Sequence, residues 1–161
     1  MNTRVGIGYD SHRFAERSDD RPLILGGVEI PHDRGLVGHS DADVLTHAVI
    51  DALLGACAQG DIGTHFPPDS EEWRDADSMD LLRRALEILD GTPVNVDATV
   101  IGEQPRLSGH REAMETSLSR ALGAPVSVKA TTNEGMGWIG RGEGLACTAV
   151  ALVESKAREN S

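Results

Sequence analysis

The stretch from Asp41 to about Ala58 most constrains what this chain can fold into. Val44, Leu45, Ala48, Val49, Ile50, Ala52, Leu53 and Leu54 put apolar side chains on nearly every side of a helix, and such a helix has to be covered by other elements. Ser40 stands where an N-cap is expected, with Asp43 three residues later replacing the usual Glu of a capping box. Asp43, His47 and Asp51 recur every four residues and form one polar stripe, which is expected to face a site or an interface.

The covering elements can be read along the chain. Val5, Ile7 and Tyr9 alternate with Gly6, Gly8 and Asp10 in a strand pattern. After a charged loop from Ala15 to Pro22, Leu23 to Ile30 reads as a hairpin turning on Gly26-Gly27. Gly60 to Pro68 reads as loop. A second helix starts near Asp77 or Ser78, carries Leu81, Leu82, Ala85, Leu86 and Leu89 on one face, and stops at Gly91. Val94 to Ile101 is strand-like, Gln104 to Leu107 a turn, and Gly109 to Leu122 a third helix. Val126 to Ala130 and Leu145 to Val153 are strands on either side of a glycine-rich loop, and the polar tail from Glu154 to Ser161 is expected to fray. Helices and strands mix without strict alternation, which predicts an α+β class in a single domain of 161 residues.

Charge and cysteine usage narrow the function. With 26 acidic against 15 basic residues the net charge is −11, which argues against nucleic acid as a partner. No apolar run is long enough to span a membrane, and the N-terminus enters a strand pattern without a signal-peptide core, so the expected location is the cytoplasm. Cys57 and Cys147 sit in apolar segments and read as buried, reduced thiols.

Two groups of residues could carry chemistry. Alternation puts Asp10 and His12 on one face of a strand, and His47 lies one helical turn after Asp43. One carboxylate and two imidazoles suit a catalytic Zn²⁺ site with an open fourth position. Each histidine taken singly is an ordinary hydrogen-bonded residue, and spacing alone leaves both readings open. Thr131-Thr132-Asn133-Glu134-Gly135-Met136-Gly137 brings hydroxyls, an amide, a carboxylate and backbone N–H groups together after a strand, as phosphate-cradling loops do; a plain polar surface loop is the alternative. Lys129, directly before that loop, and Arg141, in Gly140-Arg141-Gly142-Glu143-Gly144, favour an anionic ligand, although Arg141 and Glu143 could simply pair.

These segments, with Gly8-Tyr9-Asp10-Ser11-His12, His39-Ser40-Asp41-Ala42-Asp43, Asp51-Ala52-Leu53-Leu54-Gly55-Ala56, Gly60-Asp61-Ile62-Gly63, Phe66-Pro67, Ala76-Asp77-Ser78 and Lys129-Ala130-Thr131-Thr132, stand in the order found in one family. From residue 4 to 154 the chain resembles the 2-C-methyl-D-erythritol 2,4-cyclodiphosphate synthases of the non-mevalonate isoprenoid pathway. The resemblance implies a mixed sheet containing antiparallel pairs, with helices on one face, and a homotrimer with active sites at subunit interfaces. It also implies a lyase that cyclises a cytidine diphosphate-linked substrate and releases CMP. Asp10, His12 and His47 would then hold Zn²⁺, and Glu134 a second ion, Mg²⁺ or Mn²⁺. His39 and Thr132 would orient and stabilise the transferring phosphates, and Ser40 would contact the erythritol phosphate. Asp61 would meet the ribose, with Ile62, Gly63, Phe66, Pro67, Pro68, Asp69 and Ser70 around the substrate. Gly102, Glu103, Gln104, Pro105, Arg106 and Leu107, with Thr131, would form the cytidine side, reached also by Trp138 and Arg141, and Asn133 would touch the substrate. A hydrophobic or isoprenoid ligand on the trimer axis is compatible with the family. The chain departs from it in the Pro68-Asp69-Ser70-Glu71-Glu72 loop, at Gln104 and Arg106, and at Trp138, where Phe is commoner. Two other readings are a zinc phosphohydrolase, which would yield inorganic phosphate, and a non-catalytic trimer that binds isoprenoid diphosphates.

Overall fold

A computed structural model describes residues 2–156. Its central sheet has the order β1-β6-β4-β5, built from β1 (Asn2–Arg13), β4 (Gly91–Ile101), β5 (Val126–Thr131) and β6 (Gly144–Ser155). β6 runs antiparallel to both β1 and β4, while β4 and β5 are parallel, so the sheet is mixed and the class α+β, as predicted. A separate hairpin is formed by β2 (Leu23–Leu25) and β3 (Val28–Ile30), turning on Gly26 and Gly27, both at positive φ.

The apolar helix is α1 (Val44–Ala56), and its all-round apolarity has a direct cause. One side packs on β1 and β6, and the others meet α3 (Ser78–Ile88) and the hairpin, with α4 (Arg111–Leu122) against β5. Gly6 and Gly8 set how close α1 comes to the sheet: a Cβ on either would lie 1.9 Å from a helix carbonyl oxygen, that of Ala52 or Ala48. The opposite face of the sheet is uncovered within one chain, leaving Val5, Ile7 and Tyr9 of β1 and Val150 of β6 exposed.

Five sequence expectations need correction here. Ser40 does not cap α1. Asp43 does, accepting hydrogen bonds from the Thr46 amide (2.9 Å) and hydroxyl (2.7 Å) and also from the amides of Gly26 (2.9 Å) and Gly27 (2.8 Å). The polar stripe is therefore divided, with Asp43 turned to the hairpin, His47 to a cavity, and Asp51 to the Ile62 amide at 2.8 Å. Glu154 and Ser155 do not fray but pair with Thr3 and Asn2; residues 157–161 of the expected tail lie outside the described residues. Single-turn helices α2 (Ile62–His65) and α5 (Gly137–Gly140) also interrupt the two segments read as loops, and Gly91 opens β4 rather than ending a helix.

Burial pushes the Asp43 carboxyl up, and the hydrogen bonds it accepts oppose that. Asp43→Ala should destabilise the fold by roughly 3 kcal/mol, because three amides, two of them buried, lose their acceptor and α1 its cap. The shift in urea midpoint at unchanged slope measures it.

Candidate active site

Gly6, Gly8, Asp10 and His12 share the face of β1 that meets α1, so the glycines that admit the helix also bring His47 to the strand's far end. Three donor atoms converge there. His12 Nε2 lies 2.8 Å and His47 Nδ1 3.1 Å from Asp10 Oδ2, and the two nitrogens are 3.3 Å apart. Ligands held at about 2.0–2.1 Å in a tetrahedral arrangement would be roughly 3.3 Å from one another, so this set fits a zinc ion with little movement. Among the described residues it is the one His/Cys/Asp/Glu group so arranged, which leaves Glu134 outside it.

The ring orientations are built in. His12 Nδ1 donates to the Val37 carbonyl at 2.8 Å, which frees Nε2 for the cluster. His47 Nε2 meets two buried hydroxyls, Ser40 Oγ at 3.1 Å and Ser78 Oγ at 2.8 Å, which turns Nδ1 toward Asp10. Burial would raise the Asp10 carboxyl, but the hydrogen bonds and charges of both histidines outweigh it and hold the group below its ordinary value. For His47 burial works to lower the ring, and the Asp10 hydrogen bond and charge overcome it, so the imidazole is raised.

The cluster opens into a cavity of about 210 Å³. His39, Ser40, Ile62, Gly63, Phe66 and Pro68 line it as expected, and Trp73 and Leu81 line it too, which the sequence did not single out. The Trp73 ring stands edge-on to Phe66 at 5.0 Å, making an apolar wall opposite the donors. Arg21, read only as part of a charged loop, reaches the Gly38 and Ser40 carbonyls and ties down the His39-Ser40 turn. Asp61 lies outside the lining: it is exposed and caps α2 through Thr64, whose hydroxyl and amide bonds hold its carboxyl below the ordinary value. Pro67, Asp69 and Ser70 also lie outside the lining.

A second cavity of about 190 Å³ gathers Gly102, Glu103, Pro105, Arg106, Leu107, Thr131 and Thr132, and it shares no lining residue with the first. Gln104 is exposed and outside it. The loop that follows is not the open cradle of N–H groups that its composition suggested. Glu103 Oε1 already accepts from the amides of Asn133 (3.0 Å) and Gly135 (3.2 Å), and Thr132 Oγ1 from that of Glu134 (3.3 Å). Glu134 itself is exposed at φ +53°, a left-handed conformation that costs a non-glycine residue. Lys129 points away from the loop and pairs with Asp97 at 2.6 Å, because alternation places it on the open face of the sheet. Arg141 pairs with Glu143 at 2.9 Å, the plain reading of that turn. Trp138 borders a further small cavity with Ser11, His12, Arg13 and Glu143, on another side of β1.

Known proteins match this chain over nearly its whole length. A sequence profile of the YgbB family matches residues 3–154. The 2-C-methyl-D-erythritol 2,4-cyclodiphosphate synthase of Salinibacter ruber is 57% identical over 158 residues, covering 94% of this chain and 99% of that protein. The Gloeobacter violaceus protein of the same name is 55% identical, with 94% of each chain covered. Among solved structures, the Plasmodium falciparum IspF CDP complex superposes with a TM-score of 0.80 at 33% identity, covering 97% of this chain and 98% of that one. The bifunctional IspDF from Campylobacter jejuni gives 0.89 at 37% identity; it covers 96% of this chain, which spans only 43% of that longer protein. The chain thus belongs to the YgbB family, that of the 2-C-methyl-D-erythritol 2,4-cyclodiphosphate synthases.

Proposed function

We propose that the protein converts 4-diphosphocytidyl-2-C-methyl-D-erythritol 2-phosphate into 2-C-methyl-D-erythritol 2,4-cyclodiphosphate and CMP. The observation that carries this reading is the Asp10–His12–His47 donor set in the lining of a largely apolar cavity, in a chain whose relatives bear that enzyme's name. An oxygen of the substrate's 2-phosphate attacks the β phosphorus in line; the new P–O bond closes the ring, and the bond to the CMP phosphate breaks. Nucleophile and electrophile belong to one molecule, so the protein has to fold the substrate and neutralise charge rather than provide a nucleophile.

Asp10, His12 and His47 would hold Zn²⁺ and Glu134 a Mg²⁺ or Mn²⁺, ions that supply electrostatic stabilisation of phosphate oxygens. His39, beside the cavity, and Thr132, in the nucleotide cavity, orient the phosphates as they exchange bonds. Ser40 offers its hydroxyl to the erythritol phosphate, with Ile62, Gly63, Phe66 and Pro68 enclosing the sugar. Asp61, Pro67, Asp69 and Ser70, outside the cavity lining in one chain, would reach the substrate once it is bound. Gly102 to Leu107, with Thr131 and Asn133, receive the cytidine, and Trp138 and Arg141 approach from the nucleotide side.

A substrate that carries a cytidine and an erythritol phosphate needs both cavities, yet these are separate linings in one chain. A homotrimer in which neighbouring subunits supply the two halves resolves this. The uncovered sheet face, with Val5, Ile7, Tyr9 and Val150, supports such an assembly, and three of these faces would enclose an apolar axis fit for a hydrophobic or isoprenoid ligand. Among the described residues no helix is long and apolar enough to cross a membrane, and Cys57 and Cys147 are buried, in keeping with a cytoplasmic enzyme.

Phosphorus NMR of the diphosphocytidyl substrate with the purified protein tests the reading. A cyclic diphosphate and one equivalent of CMP should form, and a chelator should abolish both. Inorganic phosphate would identify a hydrolase instead, and intact substrate at high protein concentration would remove the proposal altogether.

A further inference from the structure

Behind His47 lies a hydrogen-bonded relay that neither the metal site nor the substrate cavities account for. Ser78, the first residue of α3, is fully buried, with its Oγ 2.8 Å from His47 Nε2 and in a short hydrogen bond to Asp41 Oδ1. Asp41 Oδ2 accepts from the Ser78 amide at 2.9 Å. A carboxylate only accepts, so the Ser78 hydroxyl must spend its single proton on Asp41. Its lone pairs then face His47, and Nε2 has to be the donor. Ser40 Oγ, farther away at 3.1 Å, is free to give or take a proton and does not decide the direction.

We infer that Ser78, polarised by Asp41, is a positioning residue that accepts the His47 Nε2–H and so holds the ring with Nδ1 turned to the metal position. The two partners come from different elements, the turn before α1 and the start of α3. The relay therefore couples the docking of α3 to the readiness of the site, as outer hydrogen bonds do for many metal-binding imidazoles.

This rests on the metal reading proposed above, and two variants test it separately from that reading. Ser78→Ala removes the acceptor. Asp41→Asn offers an amide N–H to Ser78, which releases the hydroxyl proton to point at His47. Zinc affinity, measured by competition with a chromogenic chelator, should fall about 10–100-fold in both. In the zinc-loaded proteins the His47 Nε2–H proton, which bonds Ser78 in the parent, should shift upfield and exchange faster with solvent in both variants. A merely structural role would leave that proton unchanged. If either folded variant keeps the parent's Nε2–H signal or binds zinc within twofold of the parent, the inference is wrong. If the parent binds no zinc, the metal reading fails instead, and the Nε2–H proton of the metal-free parent, compared with Ser78→Ala, still decides the relay.

Discussion

Gly8→Ala should cost at least about 4 kcal/mol and leave little soluble folded protein, although alanine is the smallest replacement available. The added Cβ would sit 1.9 Å from the Ala48 carbonyl oxygen and 2.8 Å from the Ala52 amide nitrogen. Both are backbone atoms of α1, so no side chain can swing aside, and the helix must lift from the strand. Lifting it would also draw His47 away from Asp10 and His12, so any residual folded protein should bind zinc poorly. Gly55→Ala is the matched control. It lies in the same helix, its added Cβ would meet only the Ile7 carbonyl at 3.6 Å, and it should gain about 0.5–1 kcal/mol from helix propensity. Equal melting temperatures for the two variants would show that close helix-strand contact is not what holds α1.

His47→Ala should lower turnover at least about 10³-fold and abolish stoichiometric zinc, since it removes one of three donors and the acceptor geometry around Asp10. The fold should persist, because Asp10 and His12 still pair and Ser78 still bonds Asp41. Metal content by elemental analysis, beside oligomeric state by light scattering, separates loss of the ion from loss of structure. Undiminished activity in a folded, zinc-free variant would mean that these three residues are not the ligands.

What could be read from the sequence follows element boundaries. Relations within one element were legible: the glycine alternation of β1, the placing of Asp10 and His12 on one face, and the burial of α1 all follow from periodicity. Relations between elements were not. Ser78 serves His47 across 31 residues, and Arg21 holds the Ser40 carbonyl across 19, distances over which spacing carries no signal. The cap of α1 was misplaced for the same reason: Asp43 is favoured over Ser40 because the hairpin amides of Gly26 and Gly27 also need an acceptor, and only the folded chain brings them there. Lys129 and the loop after β5 were read as an anion cradle from composition, whereas Asp97 and Glu103 satisfy them from neighbouring segments. Part of the recognised motifs gathers in the two cavities, Ile62, Gly63 and Phe66 beside the Asp10–His12–His47 set and Thr131 with Gly102, Glu103, Pro105, Arg106 and Leu107 in the other, while Asp61, Pro67, Asp69, Ser70, Gln104, Asn133, Glu134, Trp138 and Arg141 lie outside both linings.

Subunit mixing tests most directly whether the two cavities act as one site across a chain boundary. His47→Ala disables the half that holds the Asp10–His12–His47 donors and leaves Thr132, while Thr132→Ala disables the other half and leaves those donors. Each alone should be nearly inactive. Unfolded together in equal amounts, refolded and reloaded with zinc, they should recover about a quarter of the parent's activity, because one interface in four then pairs two intact halves. No recovery in verified mixed oligomers would place both halves in the same chain and contradict the shared site.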